Sequence, residues 1–371
     1  MLKGTSSWWV KFIAIDLAIV VVLFEIALRI FNPVVFRVRG DEIVLPVNQT
    51  YRIQHAGSSK LDPVIVHTKN SLGFRGPDPP ADFAKRLTIV TIGGSTTECV
   101  NLTDGKTWTD ELARRLAVER PDVWVNNAGI DGQSTFGHLV LLHSVMTRLR
   151  PNVAIFLVGA NDIGLERSNT FDAGVSPQGG RLRAIQNAII AHSEVANLVL
   201  NLARAARARN RFFGHSEVDL RHIDDLYLSD EIVERTVAQY QTYLPGYAER
   251  LEQIVTATRS SGIEPVWLTQ PALFGDGADR ATGIELARVK VNGRGNGHLE
   301  WRLLEMYNDV TRQVAAAKGV MLIDLARELP KDSRYFYDFL HFTNEGAARV
   351  GEIVAENLLA DVSIIRAVGQ R

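Results

Sequence analysis

Five residues in this sequence are of the types that acyl transfer requires. Ser95 lies in GGSTT (93–97), Gly132 in NAGIDGQST (127–135) and Asn161 in GAND (159–162), while Asp338 and His341 share DFLH (338–341). Nucleophilic acyl transfer needs a hydroxyl, a base to take its proton and a group that orients the base. It also needs donors aimed at the oxyanion that forms. Ser95 supplies the hydroxyl. His341 supplies the base, because imidazole titrates near neutral pH. Asp338 sits three residues earlier, so a short turn brings its carboxylate to Nδ1 and leaves Nε2 for Ser95. The oxyanion donors are then the backbone N–H groups of Ser95 and Gly132 and the side-chain amide of Asn161. Gly132 exposes its N–H without a side chain in the way, and the Asn161 amide donates without a charge that must be desolvated.

Each residue has a plainer use that must be weighed. Ser95 alone reads as a helix N-cap. Cys99 is a rival nucleophile four residues on, or else a small buried apolar side chain. As the only cysteine it excludes an intrachain disulfide. The other histidines, at 55, 67, 138, 143, 192, 215, 222 and 298, lie outside these four blocks. Asp162 is expected to cap a helix, Asn126 and Asn127 to bond neighbouring loops, and Thr96 and Thr97 to cap the first helix. Arg75 in LGFRGP either meets a substrate anion or ties its segment to the core, and the structural role is preferred.

Other chemistries fit less well. GGSTT lacks the lysine of a phosphate-binding loop, and no G-x-G-x-x-G opens a strand–helix turn. No His/Cys/carboxylate group has metal-ligand spacing, so neither metal nor cofactor is expected. A formal charge of -1 over 371 residues argues against a nucleic-acid partner.

The elements that must hold these residues follow from periodicity. Residues 87–92 read as a buried strand, and Gly93–Gly94 as a sharp turn after it. A helix is expected at about 107–119, a strand at 123–129, a helix at about 134–149 and a strand at 153–162. After a helical insertion at about 165–235, a crossover helix leads to a strand at 265–274. A helix at about 299–318, a strand at 320–325 and a last helix at about 344–360 close the chain. This alternation predicts an α/β protein: a flavodoxin-like three-layer α/β/α sandwich with a parallel five-stranded sheet. Sites in such sheets form outside the carboxyl ends of the strands, where all the blocks above would lie.

The first 36 residues are expected to be an uncleaved N-terminal transmembrane helix, with the apolar core LAIVVVLF and three charges, Asp16, Glu25 and Arg29. The competing reading is an amphipathic or buried helix. Flanking lysines and arginines do not decide its orientation. Residues 37–86 form a Pro- and Gly-punctuated lead-in, and 87–362 the catalytic domain. The basic run Arg204, Arg207, Arg209 and Arg211 is a solvated face or a phospholipid-facing one.

The four blocks resemble those of the SGNH hydrolases, the GDSL esterase/lipase superfamily, which carry Ser, Gly, Asn and Asp-x-x-His in this chain order. Gly93 stands where many members have an acidic or other residue. The resemblance covers about 87 to 360, less the insertions. It implies the flavodoxin-like fold and metal-free hydrolysis of acyl esters, including those of sugars and lipids. The N-terminal part resembles a bacterial single-pass subgroup, through Glu25-Ile-Ala-Leu-Arg29 and NSLGFRGP, which implies a periplasmic or extracytoplasmic domain. The expected protein is thus a membrane-anchored serine esterase acting on acylated carbohydrate or lipid. An O-acyltransferase would use the same triad, and a non-enzymatic binding module would leave the five residues without work.

Overall fold

Alternation along the central strands decides the layers. In the computed structural model of the chain, placement is described for residues 5–32, 38–39, 42–55, 58–168, 185, 188–190, 192–208, 215–291 and 295–361. Helix α1 is Thr5–Ile30. The lead-in forms an antiparallel hairpin of β1 (Gln49–Gln54) and β2 (Val64–Lys69). The main sheet contains β3 (Thr88–Gly93), β4 (Trp124–Asn127), β5 (Val153–Leu157), β6 (Glu264–Leu268) and β7 (Met321–Ile323). Its order is β7-β6-β5-β3-β4, all parallel. This is the flavodoxin-like order, and the five-stranded parallel sheet meets the expectation.

Successive side chains of a strand point to opposite faces. On β5, Val153, Ile155 and Leu157 enter one core cluster and Ala154 and Phe156 the other. The first face is covered by α3 (Trp108–Glu119) and α9 (Asn344–Ala360), the second by α4 (Thr135–Leu141), α7 (Leu244–Ser260) and α8 (Gly297–Lys318). Between these come the four-residue α2 (Ser95–Glu98), α5 (Glu194–Ala208) in the insertion and α6 (Asp230–Gln241). The helical stretch after the insertion is split between α6 and α7, and Pro245 sits in the first turn of α7, where its missing N–H costs nothing. The helix expected at about 134–149 carries a π turn at Leu142–Met146. Thr107, not Thr96 or Thr97, caps α3, through a capping box with Asp110.

The lead-in covers the open edge of β4. Arg75 and Asn127 exchange both backbone hydrogen bonds at 2.9 Å. Asn70 donates to Asn126 Oδ1 at 2.7 Å while its own carboxamide oxygen accepts from the N–H groups of Leu72 and Phe74. Asn126 and Asn127 bond neighbouring loops, as expected.

The expected transmembrane helix is not found: among the described residues, no helix is long and apolar enough to cross a membrane. Asp16, Glu25 and Arg29 break the apolar run of α1. Glu25 turns to the protein and accepts from Ser193 Oγ, Glu194 N and Val195 N at the start of α5. Arg209 and Arg211 of the basic run lie outside the described residues, as do the side chains of Arg204 and Arg207.

Candidate active site

The chain order of the sheet reverses at β3, whose neighbours are β4 on one side and β5 on the other. Ser95 leaves the carboxyl end of that strand as the first residue of α2. The two glycines before it are required for close approach rather than for a turn. Gly94 has φ -86, and neither glycine is in the left-handed region. A Cβ on Gly94 would lie 2.2 Å from Asn161 Nδ2, and one on Gly93 2.2 Å from Thr97 Oγ1. Any side chain at either position would push the serine turn away from its neighbours.

The fold joins three of the five expected residues directly. His341 Nε2 lies 2.7 Å from Ser95 Oγ, and His341 Nδ1 lies 2.6 Å from Asp338 Oδ2. The other carboxylate oxygen of Asp338 accepts from the backbone N–H groups of Leu340 and His341 at 2.8 and 2.7 Å. That turn fixes the acid before it meets the imidazole. All three side chains are buried. Gly132 is buried with φ +72, a conformation that only glycine adopts freely. Asn161 donates one amide hydrogen to Gln133 O at 3.0 Å, which orients its carboxamide beside the Gly132 loop. A small cavity of about 10 Å³ is lined by Gly94, Gln133, Gly159, Asn161 and Gln270.

Ser134 caps α4, and Asp162 accepts at its first residue, from Thr135 N at 3.2 Å and from Thr135 Oγ1, and pairs with Arg250 at 3.1 Å. Burial raises the Asp162 pKa against the pull of Arg250. Arg75 is structural: Nη1 donates to Glu98 O and Cys99 O, and Nη2 to Leu102 O. Burial pushes the Cys99 thiol up to about 12, which removes the rival nucleophile at neutral pH.

Four neighbours escaped the sequence reading. Glu98, one helical turn after Ser95, is 1% exposed; Lys69 of β2 pairs with its Oε1 at 3.0 Å. Its Oε2 accepts from Asp131 N at 2.6 Å, next to Gly132. The Asp131 carboxylate meets His215 Nε2 at 3.3 Å, and the His215 ring packs on that of His341 with centroids 4.2 Å apart. An acidic side chain one turn after Ser95 was the only signal available for Glu98. His215 had none, because its partners are distant in sequence. The fold also gathers ligand atoms of His215, Asp338 and His341 within 4.8 Å of one another. The Asp338 and His341 donors are already bonded to each other and to Ser95, so this group belongs to the triad rather than to a separate metal centre.

Comparison with known proteins bears on the same segment. Residues 91–216 match the sequence model of the GDSL-like Lipase/Acylhydrolase family. Over that segment the chain is similar to GDSL-type lipases and acylhydrolases. The match includes Ser95, Gly132 and Asn161, and the fold brings His341, with Asp338 behind it, to Ser95 from beyond the matched residues. Among solved structures, the chain is similar to TesA at 16% identity and TM-score 0.39, over 73% of this chain and 97% of that one. It is similar to the lipase/acylhydrolase from Enterococcus faecalis at 16% identity and TM-score 0.41, over 74% and 95%. It is similar to Axe2, an acetylxylan esterase from Geobacillus stearothermophilus, at 14% identity and TM-score 0.41, over 76% and 97%. No curated protein sequence matches the chain.

Proposed function

We propose that this protein cleaves acyl esters of carbohydrate or lipid through Ser95, His341 and Asp338. The unbroken hydrogen-bond chain from Asp338 through His341 to Ser95 Oγ carries the reading. Ser95 Oγ attacks the ester carbonyl carbon as His341 Nε2 takes its proton. Asp338 holds the imidazole in the tautomer that leaves Nε2 free and balances the imidazolium that forms. The oxyanion is met by the N–H groups of Ser95 and Gly132 and the Asn161 amide. His341 returns the proton to the departing alkoxide, and the alcohol leaves. Water, deprotonated by His341, then attacks the acyl-serine and releases the acid. No cofactor enters these steps.

The test is turnover of p-nitrophenyl acetate and longer acyl esters by the full chain beside Ser95→Ala. The expected loss is roughly 10⁴-fold or more, with stability within about 1 kcal/mol of wild type. A variant as active as wild type would remove Ser95 from the mechanism.

We further propose that α1 holds the protein at a lipid surface, on the extracytoplasmic side that the N-terminal resemblance implies. Its support is exposure: Trp8, Trp9, Phe12, Ile13, Leu17, Val20 and Leu23 are each 46% exposed or more. A large exposed apolar patch marks a membrane or partner interaction site. The full chain should float with phospholipid vesicles, and Leu17→Glu with Val21→Glu should abolish flotation without changing ester turnover. Equal flotation of both proteins would contradict the assignment.

A further inference from the structure

His215 comes from the far end of the long insertion, yet it touches three groups around the triad. Its Nδ1 lies 2.9 Å from Tyr337 Oη and its Nε2 3.3 Å from Asp131 Oδ1. Its ring is tilted 34° on the His341 ring. Tyr337 also stacks on His341, with centroids 5.6 Å apart and planes 14° apart. Tyr337 Oη receives a further hydrogen bond from Asn101 Nδ2 at 3.2 Å, and Asn101 Oδ1 meets His55 Nε2 at 3.3 Å. One end of this bridge is the loop that carries Gly132. The other is the loop that carries His341.

We propose that His215 is a positioning residue that ties the Asp131–Gly132 loop to the Tyr337–His341 loop, so that oxyanion donor and base keep one spacing during acyl transfer. The proposal rests on the triad reading above. His341 is held at Nδ1 by Asp338 and at Nε2 by Ser95, but the Ser95 bond is lost whenever the serine is acylated. The imidazole then keeps one hydrogen-bond anchor and the rings packed against it. A ring that is itself pinned at both nitrogens restrains that motion better than a free side chain would. Burial opposes a charge on His215, but the Asp131 carboxylate outweighs it and the net shift of its pKa is upward. In its charged form His215 donates from both nitrogens, to Asp131 and to Tyr337. The Asp131 backbone N–H is meanwhile fixed by Glu98, which Lys69 of the lead-in neutralises. The insertion and the lead-in, both outside the minimal sheet, thus brace the site from two sides.

The test uses the full chain with wild type, Ser95→Ala, His215→Ala, His215→Phe and His215→Ala combined with Asp131→Ala. Turnover of p-nitrophenyl acetate gives kcat and KM, and the rate of Ser95 labelling by a fluorophosphonate reads the nucleophile independently of the ester. His215→Ala should lower kcat and the labelling rate about 10-fold, since small misplacement of reacting groups costs up to about 10². KM and the thermal midpoint should hold. His215→Phe keeps a ring without nitrogens and should lose as much. The double variant should be no worse than His215→Ala, because contacting residues that act as a unit are not additive. Rates within twofold of wild type, recovery in His215→Phe, or a change confined to KM would each overturn the proposal. Ser95→Ala that turns over or labels like wild type would instead overturn the triad reading beneath it.

Discussion

At the carboxyl edge of the sheet, Ser95, Glu98, Asp162, Asp338 and His341 are buried and each meets a polar partner. Along α1 the reverse holds: Phe12, Leu17, Val20 and Leu23 lie in the open with no core to join. One region withdraws polar groups from water, and the other leaves apolar groups in it. Each departs from the ordinary partition of side chains, and the costs differ in kind. A buried polar group costs roughly 2–7 kcal/mol unless a hydrogen bond replaces water. An exposed apolar side chain forgoes about 25 cal/mol per Å². The first cost is met inside the protein, by partners such as Lys69 for Glu98 and Arg250 for Asp162. The second, on the lipid-surface proposal above, is met from outside it. A region whose compensation is internal should be sensitive to single substitutions. A region whose compensation is external should tolerate them until the partner surface is added.

The largest contrast should come from Lys69→Met. It leaves the Glu98 carboxylate buried without its lysine counter-charge and should cost about 3–5 kcal/mol of stability. The paired Leu17→Glu and Val21→Glu change in α1 should stay within about 0.5 kcal/mol in water, as exposed positions do. Urea unfolding of both proteins checks this, and equal midpoints would erase the distinction. A somewhat smaller effect is expected at Asn161. Asn161→Ala should lower kcat by ~10²–10³ if the amide meets the oxyanion. An effect on KM alone would make it a substrate contact.

Acid should separate the regions more gently. Burial, first of all, holds His67 and His138 down to about 3. An unfolded histidine titrates at about 6.5. Below that pH the unfolded chain binds protons that the fold refuses, so stability falls as pH drops from about 6.5 toward 3. Each histidine should account for about 2 kcal/mol by pH 5. His138→Gln should flatten the slope of the urea midpoint against pH. A wild-type midpoint that does not change between pH 7 and 5 would contradict the assignment, whereas substitutions in α1 should leave the slope alone.

Much of the sheet was legible because periodicity is local. Leu87 to Ile92, 123–129 and 153–162 read as strands, and β3, β4 and β5 form there, though β4 and β5 are shorter than expected. The four blocks were legible because each follows a strand end or opens a helix. What was hidden depends on contacts between distant segments. Gly93 and Gly94 read as turn residues, but their need comes from Thr97 and from Asn161, in the turn that follows another strand. Lys69 is ordinary in the lead-in until β2 places it against Glu98. His215 has no neighbour in sequence that marks it, and only the return of the insertion sets it on His341. For α1 the apolar run was plain, but Glu25, which reads as a pairing partner for Arg29, also holds the start of α5.

The most direct measurement is to label the full chain with a fluorophosphonate, digest it and locate the adduct by mass spectrometry. The account predicts one adduct, on Ser95, lost in Ser95→Ala and formed far more slowly in His341→Ala. An adduct on Cys99 or on another serine, with Ser95 unmodified, would contradict it.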